Sequence, residues 1–104
     1  MPNARVYILV NSRTASAAEG FAFAMQNLKR ATIFGQRTYG AGIAVVYIEL
    51  GHGLRMVLPE KMVVAPHSTV GWEGKGVVPD VAVPAGEVRA AAIALVRDSL
   101  HGAP

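Results

Sequence analysis

Arg5-Val6-Tyr7-Ile8-Leu9-Val10, then Asn11-Ser12-Arg13-Thr14-Ala15, then Ser16-Ala17-Ala18-Glu19 is the stretch whose reading decides the fold. After Arg5 the first segment is unbroken apolar, rich in β-branched and aromatic residues. Such a run suits a strand covered on both faces, as in a parallel sheet flanked by helices. The middle segment is short and polar, a loop. From Ser16 the period changes: Ala17, Phe21, Ala24, Met25 and Leu28 share one face of a helix. Ser16 and Glu19 have the Ser-x-x-Glu spacing of a capping box, which places the helix start at Ser16. Lys29 and Arg30 end that helix as cations near its negative pole. Residues 31–34 then form a short buried strand stopped by Gly35. Strand, helix and strand make a crossover of the right-handed kind.

Outward from that unit, Gly40-Ala41-Gly42 opens a second part. Residues 43–50 read as a strand, Gly51-His52-Gly53 as a tight turn, and 54–58 as the returning hairpin partner. Residues 61–65 form a further short strand, and 66–79 a glycine-studded loop. Residues 87–100 form a terminal helix with Val88, Ala91, Ala92, Leu95 and Val96 on one face.

The chain has 104 residues, 52% of them apolar and 16% charged. That is one packed unit rather than a disordered one, and a greasy one, as for a fragment whose missing half covers an apolar surface. The net charge is +3, but the basic residues are scattered and only Lys29 and Arg30 adjoin, so nucleic-acid binding is disfavoured. With no cysteine, there is no disulfide framework and no thiolate zinc site. No apolar run approaches the roughly 20 residues of a membrane span. Residues 1–5 lead straight into the strand, without a signal peptide.

Two places invite chemistry. A serine at a strand–helix junction presents its hydroxyl beside the unpaired amides of the first helical turn, where developing negative charge is stabilised. Ser16 is thus a candidate nucleophile and the Ala17 N–H a candidate oxyanion donor, although helix capping accounts for Ser16 and Glu19 equally well. The second place is Gly71-Trp72-Glu73-Gly74-Lys75-Gly76-Val77-Val78-Pro79-Asp80. Glycines on either side of Lys75 allow conformations closed to other residues, and Glu73 could orient a histidine as the acid of a triad. Read plainly, the same loop is a solvated turn with Trp72 covering the core edge and Asp80 as a local loop acceptor.

Three motifs in order resemble the S41 peptidases. That family includes the C-terminal-processing (tail-specific) proteases, the tricorn-type proteases and the interphotoreceptor retinoid-binding protein repeats. The motifs are Thr14-Ala15-Ser16-Ala17-Ala18-Glu19 with its helix, Gly35-Gln36-Arg37-Thr38-Tyr39-Gly40, and Trp72-Glu73-Gly74-Lys75-Gly76-Val77 with Pro79-Asp80. The resemblance covers about residues 5 to 95. It implies a partial crotonase/ClpP-like α/β domain, with residues 1–104 as the C-terminal portion of the catalytic domain. It also implies peptide hydrolysis through an acyl-enzyme, with peptide or protein substrates. No cofactor is expected, nor a metal, since no histidine pair has the spacing of a metal site and carboxylates are too few to complete one. Ser16 takes the nucleophile position, Ala17 the oxyanion position and Glu73 that of the triad acid.

There are departures. In the processing-peptidase branch a lysine serves as base twenty-five residues after the serine, where this chain has Ala41, and neither Lys29 nor Lys61 matches. The tricorn-like branch uses a histidine, which would lie upstream of Met1, as would the glycine-rich segment giving the second oxyanion donor. Of the histidines present, His52 tips the hairpin, His101 lies at the terminus, and His67 is the one local candidate base. The expectation is therefore a serine peptidase of Ser-His-Glu type, weak or inactive alone. The rival is a non-catalytic retinoid- or lipid-binding module. Bare apolar surface also raises self-association, and the resemblance leans to an extracytoplasmic or secreted parent.

Overall fold

In the computed structural model, which describes residues 3–65 and 70–100, the elements follow in the order β1 (Tyr7–Val10), α1 (Ala17–Asn27), β2 (Thr32–Gly35), β3 (Ile43–Gly51), β4 (Leu54–Met62), β5 (Val81–Ala82) and α2 (Val88–Leu100). The mixed α/β architecture is the one expected. β1 and β2 pair in parallel, Tyr7 opposite Thr32 through Val10 opposite Gly35, and β5 adds in parallel at the far side of β2. Parallel pairing requires a crossover, and α1 provides it.

The core gathers where this sheet meets α1 and the loop after β4. Val10, Ala22, Ile33, Trp72 and Val77 are buried together, with Ile8, Phe23 and Ala31 packed on them. Trp72 lies against Phe23 at 5.1 Å between ring centroids, and Gly20 leaves room for its six-membered ring. The third motif is therefore more than a solvated turn: its tip at Gly74 and Lys75 is exposed, but its tryptophan belongs to the core.

β3 and β4 form a separate antiparallel hairpin. Its two loop residues, His52 and Gly53, both have positive φ (54° and 77°), the type I′ pattern whose twist matches that of paired strands. The return strand runs to Met62, longer than expected, because Lys61 and Met62 continue the same ladder rather than starting a new strand. Large side chains on both faces stay exposed, among them Tyr47, Ile48, Leu50, Leu54 and Val57. The arm extends the molecule to a radius of gyration of 17.1 Å, against about 13 Å for a compact domain of this length.

Two boundaries differ from the sequence reading. α1 stops at Asn27 with Leu28 as its C-cap, so Lys29 and Arg30 follow the helix rather than filling its last turn. Lys29 takes positive φ, and the Arg30 guanidinium reaches the Ala4 carbonyl at 2.9 Å. Asp80 is also more than a local acceptor. Its Oδ2 accepts the Ile33 N–H at 2.7 Å and its Oδ1 a bond from Gln26 at 3.2 Å, tying the start of β5 to β2 and α1.

Candidate active site

The loop between β1 and α1 is folded on itself before it reaches Ser16. Asn11 Oδ1 accepts the Arg13 N–H at 2.8 Å, and the Asn11 carbonyl accepts the Thr14 N–H at 3.0 Å. The Thr14 carbonyl accepts the Tyr39 N–H at 2.9 Å, which pins the loop to the segment following β2. Ser16 then sits at the helix N-cap with φ 55° and ψ −120°. A non-glycine residue in that region is strained, and such strain persists only where surrounding bonds over-determine it.

Those bonds centre on Glu19, which is fully buried. Its Oε2 accepts the N–H groups of Ser16 at 2.8 Å and Ala41 at 2.9 Å. Its Oε1 accepts the Thr38 hydroxyl and the Gly40 N–H, both at 2.6 Å. Burial by itself raises the Glu19 pKa. The Thr38 hydroxyl and the amides of Gly40, Ala41 and Ser16 outweigh it and hold the carboxyl below its ordinary value of 4.5, hence ionised. The Ser16 hydroxyl approaches the Glu19 amide as in a capping box but closes no side-chain cap bond. Ser16 and Ala17 are exposed, and the Ala17 N–H, at the first helical position, has no intrahelical acceptor.

Glu73 comes to the same place from the far end of the chain. Its carboxylate accepts the Gly42 N–H through Oε2, next along the backbone from the two amides held by Glu19. The turn that carries it is closed by bonds from Lys75 and Gly76 N–H to the Trp72 carbonyl, and Gly74 N–H bonds to the Gly40 carbonyl at 2.9 Å. Thr38 ties the two loops: it donates to Glu19 and accepts the Val77 N–H at 2.6 Å.

A cavity of about 200 Å³ opens beside the serine, lined by Ser16, Ala17, Gly20, Ile43, Val63 and Trp72 together with Ala41, Gly42 and Ala44. Ala41, the position where the processing-peptidase branch carries lysine, contributes only a methyl group there. The structure thus brings together Ser16 and Ala17 and docks the Glu73 loop on the cavity wall at Gly42. Among the described residues it brings no histidine there. His52 is exposed at the hairpin tip, and His67 and His101 lie outside the described residues. Among the described residues no group of three His, Cys, Asp or Glu could hold a metal, and no helix is long and apolar enough to cross a membrane.

In the sequence Glu19 reads as a cap alone, and Thr38 has no evident role. Nothing in a linear pattern reports that a capping glutamate will also receive donors from residues 38–41.

The sequence and the fold have known relatives. Residues 1–83 match the model of peptidase family S41, and the chain belongs to that family. Over 78 residues it is 35% identical to a carboxy-terminal-processing protease of Bartonella bacilliformis, a match covering 75% of this chain and 18% of that protein. Over 77 residues it is 36% identical to the chloroplastic carboxyl-terminal-processing peptidase 1 of Arabidopsis thaliana, covering 74% and 16%. Among solved structures it superposes on a photosystem II D1 C-terminal processing protease with a TM-score of 0.70 at 33% identity, covering 79% of this chain and 21% of that one. The chain therefore spans less than a fifth of the curated relatives it matches.

Proposed function

We propose that residues 1–104 are the C-terminal portion of an S41 catalytic domain and carry the nucleophile half of a serine-peptidase site. The observation that carries this reading is the strained Ser16 turn, held by buried bonds and exposed beside a cavity at a helix N-terminus. Strain of that kind is uphill for a mere cap, which adopts ordinary extended backbone at no cost.

In the proposed reaction the Ser16 Oγ attacks the scissile carbonyl carbon while a histidine from outside this chain takes its proton. The carbonyl π pair moves to oxygen, where the Ala17 N–H donates to it. Collapse expels the amine, which leaves with the proton held by the histidine, and water then hydrolyses the acyl-Ser16 ester by the same steps. Glu73 holds the histidine's other ring N–H through Oε1, the oxygen not bonded to Gly42. The apolar walls beside Ser16 suit a small apolar side chain next to the scissile bond. The relatives are named as proteases, which does not favour the rival reading as a retinoid or lipid carrier.

The chain also exposes enough surface to meet a second copy of itself. A globular chain of this mass exposes about 5,600 Å², whereas this one exposes 7530 Å². The excess, roughly 1,900 Å², is more than the ~800 Å² one partner gives to a standard interface. The rest of the catalytic domain would cover part of that surface. In the chain alone, self-association through the β3–β4 arm would cover it, and light scattering that stays monomeric from micromolar to millimolar chain would end that part.

Peptide turnover tests the catalytic part. The chain alone should turn over peptides barely above background, and imidazole, small enough for the cavity, should raise the rate in wild type but not in Ser16→Ala. Turnover at ordinary protease rates without imidazole would put a base within the 104 residues, with His67→Ala as the deciding variant.

A further inference from the structure

We infer that Glu19 is a positioning residue for the nucleophile, an assignment that rests on the reading of Ser16 given above. Its buried carboxylate fixes the Ser16 turn and the 40–42 loop in one register, so that the hydroxyl, the oxyanion amide and the Glu73 loop face one cavity.

Capping needs only one of the four bonds Glu19 makes, the one from Ser16 N–H. A capping glutamate is ordinarily solvated at a helix surface. This one is withdrawn from water completely, with no cation among its hydrogen-bond partners, a costly placement unless every acceptor site is used. All four donors converge on it, and three come from residues 38, 40 and 41, about twenty positions along the chain.

The order of the donors carries the assignment. The amides of Gly40, Ala41 and Gly42 are consecutive; two point to Glu19 and the third to Glu73. Gly40 has φ 101°, a conformation that lets neighbouring amides turn toward one anion. A displacement of the Glu19 carboxylate therefore moves three things at once: the Ser16 backbone, the Ala41–Gly42 wall of the cavity, and the amide that seats Glu73. A bond network serving only stability has no need to divide adjacent amides between the residue beside the nucleophile and the triad acid.

The test uses the whole chain, with Glu19→Gln and Asp80→Ala compared at a temperature where both are folded. Asp80→Ala removes the acceptor for Ile33 N–H but leaves all four bonds to the Glu19 carboxylate. In wild type the Ser16, Gly40 and Ala41 amide NMR signals should titrate together, with a midpoint below the ordinary glutamate range, and Glu19→Gln should abolish that titration. The second readout is the rate at which a fluorophosphonate labels Ser16 in the presence of imidazole. Glu19→Gln should slow it tenfold or more, while Asp80→Ala, though less stable, should stay within twofold of wild type.

Equal slowing by both variants at matched stability would reduce Glu19 to a structural role, and amides that titrate separately would overturn the assignment outright. Failure of the parent reading looks different: Ser16 then takes no label in wild type even with imidazole, while the shared titration of the three amides persists.

Discussion

Gly74 and Gly76 offer a matched pair for testing how the Glu73 loop is held. Their φ angles are nearly equal, 73° and 75°, so alanine at either position meets the same left-handed strain, about 1–2 kcal/mol. What differs is the space. A Cβ at Gly74 meets nothing within 4 Å, whereas one at Gly76 lies 2.3 Å from the Thr38 carbonyl oxygen and 2.9 Å from its carbon. The obstacle is backbone, so the Gly76–Val77 segment must retreat by about 1 Å to reach ordinary contact. That retreat adds overpacking of about 1–3 kcal/mol. It also stretches the buried bond from Val77 N–H to the Thr38 hydroxyl, now 2.6 Å, at about 1–3 kcal/mol for a donor left unpaired.

Gly76→Ala should therefore be less stable than Gly74→Ala by at least about 2 kcal/mol. At roughly 4–8 °C per kcal/mol for a domain of this size, their melting temperatures should differ by about 8 °C or more. The assay is thermal unfolding followed by the fluorescence of Trp72, the single tryptophan, whose ring lies in the core beside this loop. Equal losses in the two variants would refute the reasoning, because only the contact with Thr38 separates them.

Three further outcomes follow from the same contacts. The Glu19 carboxyl has its pKa lowered in the folded chain, so its contribution to stability is complete above the ordinary value of 4.5 and is lost as pH falls through the folded value. Melting temperature should drop along that acid limb in wild type and follow a flatter course in Glu19→Gln, as differential scanning calorimetry at stepped pH would show. Asp80→Ala removes the acceptor for Ile33 N–H and should cost about 1–3 kcal/mol in urea unfolding. Arg55→Ala breaks an exposed ion pair with Glu49, the two side chains being 60% and 66% exposed, and the same unfolding curve should move by less than about 1 kcal/mol.

The strand–helix–strand unit was legible because each of its signals is local: an apolar run, a cap, an apolar helical face and a second run. The hairpin was legible for the same reason, down to its tip at Gly51-His52-Gly53. β5 leaves no trace in the sequence because two residues carry no period, and its place is set by Asp80 reaching Ile33 across 47 positions. Residues 61–65 read as a strand of their own, yet Lys61 and Met62 belong to the hairpin, in which Pro59 stands opposite Val45 next to a register shift, where a missing N–H is tolerated. For the site, the serine and the glutamate of the third motif stood out by residue type and context. Glu19 as a hub did not, since burial and the convergence of four donors are properties of the folded chain alone.

The most direct measurement is site-mapped fluorophosphonate labelling of the whole chain and its Ser16→Ala variant, read by intact mass and peptide mapping, with and without imidazole. The account predicts slow labelling confined to Ser16, accelerated by imidazole and absent from Ser16→Ala. Label on Ser12 or Ser99 in place of Ser16, or a Ser16→Ala chain that labels as fast as wild type, would contradict it.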